Sequence, residues 1–125
     1  MARRCRGDDG VVATVIVLPA ALLAIWLVLQ YAMVMHVEHV AQAAAQDAAL
    51  AAAAGTGDAG ATALDLMSSA DGFTTGVGVR TGGSSTQITV TVTADVVRIF
   101  PFGSFAVTAS GSAPIEEFIA QPGRP

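Results

Sequence analysis

His36, Glu38 and His39 form the densest cluster of metal-binding side-chain types in the chain. Residues three apart share a face of a helix, so the two imidazoles have acceptable spacing for two ligands of one ion. The order HVEH is not the HExxH pattern that couples two ligands to a general base, and no third convergent ligand is evident. A polar cluster in water or at headgroup level is the better reading. GTGDAG at residues 55–60 matches the letters of a dinucleotide fingerprint, which works only between a strand and a helix. An Ala-rich helical stretch precedes it here, so the match reads as a linker. Ser104, Ser110 and Ser112 lack the context of a nucleophile elbow, and a triad has only two histidines to draw on. Glu116 and Glu117 are adjacent and point apart in a strand, so they make no acid/base pair. Cys5 is the only cysteine, which excludes an intramolecular disulfide. Neighbouring arginines would favour its thiolate, yet a free, dispensable thiol is the simpler reading. The expectation is a non-enzyme with no cofactor, no metal and no small-molecule substrate.

The elements that carry these residues are set by an uneven charge distribution. Hydrophobic residues make up 53% of the 125-residue chain and charged residues only 13%, against about 25% charged in an ordinary soluble domain. Residues 11–37 contain no Asp, Glu, Lys or Arg. The segment before this run sums to +1 and the segment after it to −5, which together make the net charge of −4. All the cations are arginines, and they form no cluster large enough to track a phosphate backbone, so nucleic-acid binding is excluded.

As a helix, residues 11–37 are about 40 Å long, more than the ~30 Å hydrocarbon core, so they span a membrane with tilt or overhang. Trp26 and Tyr31 lie in the distal half, where aromatic belts occur. Pro19 removes one helix hydrogen bond and predicts a kink near residues 15–19. Arg3, Arg4 and Arg6 place the N-terminus inside, which leaves residues from about 36 onward outside. A cleaved secretory signal is the competing reading. It fits poorly, because the apolar run continues far beyond the usual 7–15 residues.

Residues 38–54 are Ala-rich and contain no helix breaker, so one helix is expected from residue 11 to residue 54, ending at Gly55. Asp58 or Thr62 can cap a short helix to about Ala70, with Leu64 and Met67 on one face. After residue 72 the period changes to two. Phe73, Thr75, Val77 and Val79 alternate with small or polar residues; Ile88, Val90 and Val92 alternate with threonines; Phe105, Val107 and Ala109 form a third set. TGGSS at 81–85 is the expected hairpin loop, and 96–103 an apolar loop. The fold class is therefore α+β: a long N-terminal transmembrane helix continuing into an Ala-rich helix, then a small antiparallel β-meander of about three strands packed on it. The divisions are a cytoplasmic Arg-rich leader at 1–10, the span at 11–37, an exported helix at 38–54, a linker and short helix at 55–72, and an extracytoplasmic β domain with its tail at 73–125.

An Arg-rich leader ending in Gly and running straight into a hydrophobic helix resembles type IV pilin-like proteins. Within that group the chain is similar to the TadE-like family of the tight-adherence (Flp) pilus system. The resemblance rests on RRCRGDDG before VVATVIVLPAALLAIWLVLQYAM, on HVEHVAQAAAQDAALAAAAGTG, and on the ending ITVTVTADVVRIFPFGSFAVTASGSAPIEEF. It implies that a prepilin peptidase cuts between Gly10 and Val11, leaving the hydrophobic helix at the new N-terminus. The family usually has a glutamate five residues after the cut, used in subunit registration, whereas this chain has Val15 there.

Two roles follow from the resemblance: a minor pilin-like (pseudopilin) subunit, or an uncleaved membrane accessory of pilus assembly or secretion. Either acts by protein–protein contacts from the cytoplasmic membrane. The implied partners are the bilayer, other pilus or secretion-machinery subunits, and the prepilin peptidase. The alternative is a single-pass membrane-anchored binding module unrelated to pili.

Overall fold

The computed structural model describes residues 5–115, with side chains from residue 10 onward. Arg3, Arg4, Arg124 and the Glu116/Glu117 pair lie outside the described residues. The first element, α1 (Cys5–Ala53), is one 49-residue helix that includes the end of the expected leader and continues through Pro19 as a single element. Proline removes one N–H there but does not end the helix. Thr14, a hydroxyl in an apolar stretch, donates to the carbonyl of Gly10 four residues earlier at 2.8 Å. This satisfies its one donor without solvent.

The helix stops where glycine can. Gly55 adopts φ +69°, its N–H donates to Ala52 O at 3.2 Å, and the Thr56 N–H donates to Ala51 O at 3.0 Å. That pair of bonds is a Schellman ending, which satisfies carbonyls the last turn would otherwise leave open. Asp58 then caps α2 (Ala59–Met67), its Oδ2 accepting from the Ala61 N–H at 3.0 Å. The buried face of α2 is Ala59, Ala63 and Met67, four residues apart. Leu64, which with Met67 lines the shallow cleft between α2 and Val77, is half exposed. The methyl groups of Ala59 and Ala63 let α2 approach α1 more closely than a leucine would. A 3-10 turn, Ser68–Phe73, leads into the sheet.

β1 (Thr74–Gly83), β2 (Gln87–Val96) and β3 (Ala106–Pro114) form an antiparallel meander in the order β1-β2-β3. The first hairpin turns later than expected. Thr81, Gly82 and Gly83 still pair with Val90, Thr89 and Ile88, and only residues 84–86 form the turn. Gly83, at φ +130°, makes that possible: a Cβ there would run into the carbonyl of Gln87. The alternation in β2 holds, with Val90, Val92, Ala94 and Val96 buried and Ile88 partly so. β3 buries Val107, Ala109, Gly111 and Ala113, so its inward face extends beyond the expected Val107 and Ala109; Phe105 precedes the strand.

This face packs on one stripe of α1: Val37, Ala41, Ala44, Ala45, Ala48 and Ala49, all without solvent exposure. Their 3–4-residue spacing makes a continuous helical face. The Ala-rich half therefore spends its small side chains on its own sheet and on α2. Close approach is greatest at Gly111, where a Cβ would lie 2.5 Å from the backbone carbon of Ala45. Beside it, Gln42 and Gln46 donate from Nε2 to the carbonyls of Ser110 and Ser112 at 3.1 and 3.3 Å. These amides cover part of the edge that β3 would otherwise present to another strand.

Candidate functional site

The chemistry-bearing residues do not converge. His36 is exposed, and its ring meets Phe73 edge-on at 5.2 Å; His39 and Glu38 are also exposed on α1. Among the described residues no group of three His, Cys, Asp or Glu side chains is placed to hold a metal ion. GTGDAG supplies the C-terminal glycine of α1 and the cap of α2, so it has a structural use at both ends. Ser110 Oγ lies 3.1 Å from Thr91 Oγ1 on the outer face of the sheet, and Ser104 is exposed in the loop before β3. Gly10 and Val11 lie within α1 and are exposed, and a Cβ on Gly10 would meet nothing.

The geometry instead marks a seam across α1. Every residue from 10 to 29 is exposed, including Val11, Ile16, Leu22, Ile25 and Trp26. Gln30 is the first buried residue after residue 10, with no solvent exposure. From there the domain covers the helix: Met33 and Val34 are partly buried against the core, and Val37 belongs to it. The end of the apolar run thus serves the domain, and the freely exposed part of the expected 11–37 span is 11–29.

Gln30 joins the two parts. Its Nε2 donates to the Val97 carbonyl at 3.0 Å, and its Oε1 accepts from the N–H groups of Ile99 and Phe100 at 2.7 and 3.1 Å. One side chain thereby satisfies three backbone groups in the β2–β3 loop, and no buried side-chain polar atom among the described residues is left without a partner. Reading the sequence for charge and metal ligands missed this residue. The available signal was a lone amide in an uncharged run, which needs partners wherever it is removed from water.

Residues 10–50 match the family model described as TadE-like protein. The match covers the exposed apolar stretch, the Gln30 seam and the alanine stripe, and it is the family the sequence resembles. α1 also provides, from Gly10 to Ala53, a helix near the N-terminus that is long and apolar enough to cross a membrane. Comparison with curated proteins and with solved structures gave no match.

Proposed function

We propose that the chain is a minor pilin-like subunit or membrane accessory of tight-adherence pilus assembly or secretion, held in the cytoplasmic membrane with its α+β domain outside. The reading is carried by one coincidence. The TadE-like match begins at the exposed apolar helix and ends on the alanine stripe to which the domain is fastened. Anchor and domain thus share one continuous helix rather than being two modules on a linker, as suits a part that must present a surface at a set height above the bilayer. Arg3, Arg4 and Arg6 support an inside N-terminus. The outer surface supports contact with other pilus subunits: β1 is an edge strand, and threonines, serines and glycines line the sheet face away from α1.

Processing decides between the two roles. Gly10 lies inside a helix, and a peptidase needs extended backbone; glycine lowers the cost of unwinding by roughly 0.5–1 kcal/mol relative to alanine. A side chain at Gly10 touches nothing, so Gly10→Leu tests processing without disturbing the fold. Deletion of the chain from its native cell is expected to reduce surface pili, and the wild type to restore them. For a processed subunit, the intact mass of the restored protein lacks residues 1–10, and Gly10→Leu retains them and fails to restore. For an accessory, wild type and Gly10→Leu both retain residues 1–10 and both restore. Undiminished pili in the deletion strain would overturn both roles in favour of a binding module unrelated to pili.

A further inference from the structure

We infer that the β2–β3 loop is a second membrane contact, laying Ile99, Phe100 and Phe102 on the lipid surface where the α1 span leaves it. The inference rests on the membrane-anchored reading above and adds a lipid-binding surface to it. Residues 11–29 rise about 28 Å as a helix, close to the ~30 Å hydrocarbon thickness, so one leaflet boundary falls at Gln30 when the exposed stretch is embedded. Gln30 is also where the loop is fastened, through three hydrogen bonds to Val97, Ile99 and Phe100.

Helical side chains lean toward the N-terminus, so a loop held by the Gln30 amide lies over the turn on the membrane side of residue 30. The packing of β3 sets the loop at the same end. Ser110 sits beside Gln42 and Ser112 beside Gln46, so β3 ascends with α1 and the loop before it lies at the lower end. The loop is apolar where water would favour polar residues: Phe102 is 67% exposed and Ile99 41%. The Phe100 and Phe102 rings meet edge-on at 5.8 Å, making one aromatic patch. Trp26 and Tyr31, the only residues of their types, are exposed on the helix to either side of Gln30, at the level where amphipathic rings favour the interface. Arg98, exposed and bonded to the Gly103 carbonyl at 3.2 Å, brings a cation to the headgroup level. Continuity with the embedded helix favours lipid as the occupant. A protein partner would have to reach the patch at the bilayer surface.

Full-length chain in phosphatidylcholine/phosphatidylglycerol vesicles with brominated acyl chains tests this by tryptophan quenching. Wild-type Trp26 reports the span. In a Trp26→Phe background, Phe102→Trp reports the loop and Ser85→Trp the far hairpin. Phe102→Trp is expected to emit to the blue of a water-exposed indole and to lose most of its emission to shallow bromines, with Ser85→Trp unquenched. Ile99→Trp gives an independent reading of the loop should Phe102→Trp lose the wild-type circular dichroism. Quenched Trp26 beside unquenched loop probes would overturn the lipid contact and leave the anchoring intact. Unquenched wild-type Trp26 would overturn both. Equal quenching at Ser85→Trp would show the whole domain lying on the lipid, against a specific role for the loop.

Discussion

Val90→Asp is expected to unfold the α+β domain, destabilising it by about 4–5 kcal/mol, because it puts an unpaired carboxylate in a site without solvent. Val90 has no exposure and faces the alanine stripe of α1, where no cation is available among the described residues. Thr91→Asp, one residue along on the opposite face, is expected to cost less than about 1 kcal/mol. It loses the hydroxyl contact with Ser110 but lies directly across from Arg80 in the β1–β2 register, an opposite-charge pair. Urea titration of the full chain in detergent, followed by circular dichroism, separates the two. Equal midpoints would mean that the inward and outward faces of β2 have been assigned incorrectly.

Gly111→Ala is expected to be nearly as damaging through a single methyl group. Its Cβ would stand 2.5 Å from the backbone carbon of Ala45 and the nitrogen of Gln46, and 2.6 Å from the Ala45 oxygen. Backbone cannot rotate aside as a side chain can, so the helix must lift from the sheet, pulling Gln42 and Gln46 from their carbonyls. Overpacking of this kind costs about 3 kcal/mol, the upper end of the usual range. Gly82→Ala is the control: a Cβ there meets nothing, and alanine in that strand is expected to be neutral or slightly stabilising. The same urea titration should lower the midpoint for Gly111→Ala alone. A wild-type midpoint for Gly111→Ala would show that helix and strand are not in close contact.

These two sites show how far the sequence could be read. β2 was legible because β-branched residues alternating with threonine give an unambiguous period of two, and Val90 lies on the inward side of it. The end of α1 was legible because Gly55 is the first glycine after the apolar run begins at residue 11, and it takes the left-handed ending. The alanine stripe was visible as helix but not as core, since alanines fill the buried and the exposed positions of this helix alike, as at Ala41 and Ala43. Gly111 was hidden for a related reason: a glycine in a strand reads as weakness until a helix backbone is known to lie against it. Gln30 was least legible of all. Its partners are 67 to 70 residues away in sequence, and only the fold brings them together. The candidate metal, nucleotide and nucleophile positions were legible individually as residue types, and their separation in space follows from their different elements.

In the proposed arrangement α1 crosses the membrane once and holds the domain on its outer side. Membrane-impermeant maleimide, applied to intact spheroplasts, tests it most directly. Ser85→Cys in a Cys5→Ser background places a thiol in the exposed hairpin at the far end of the sheet, while the wild type carries only Cys5 before the span. Ser85→Cys is expected to be labelled on intact spheroplasts and the wild-type protein not. Labelling of Ser85→Cys only after the membrane is permeabilised would contradict this arrangement.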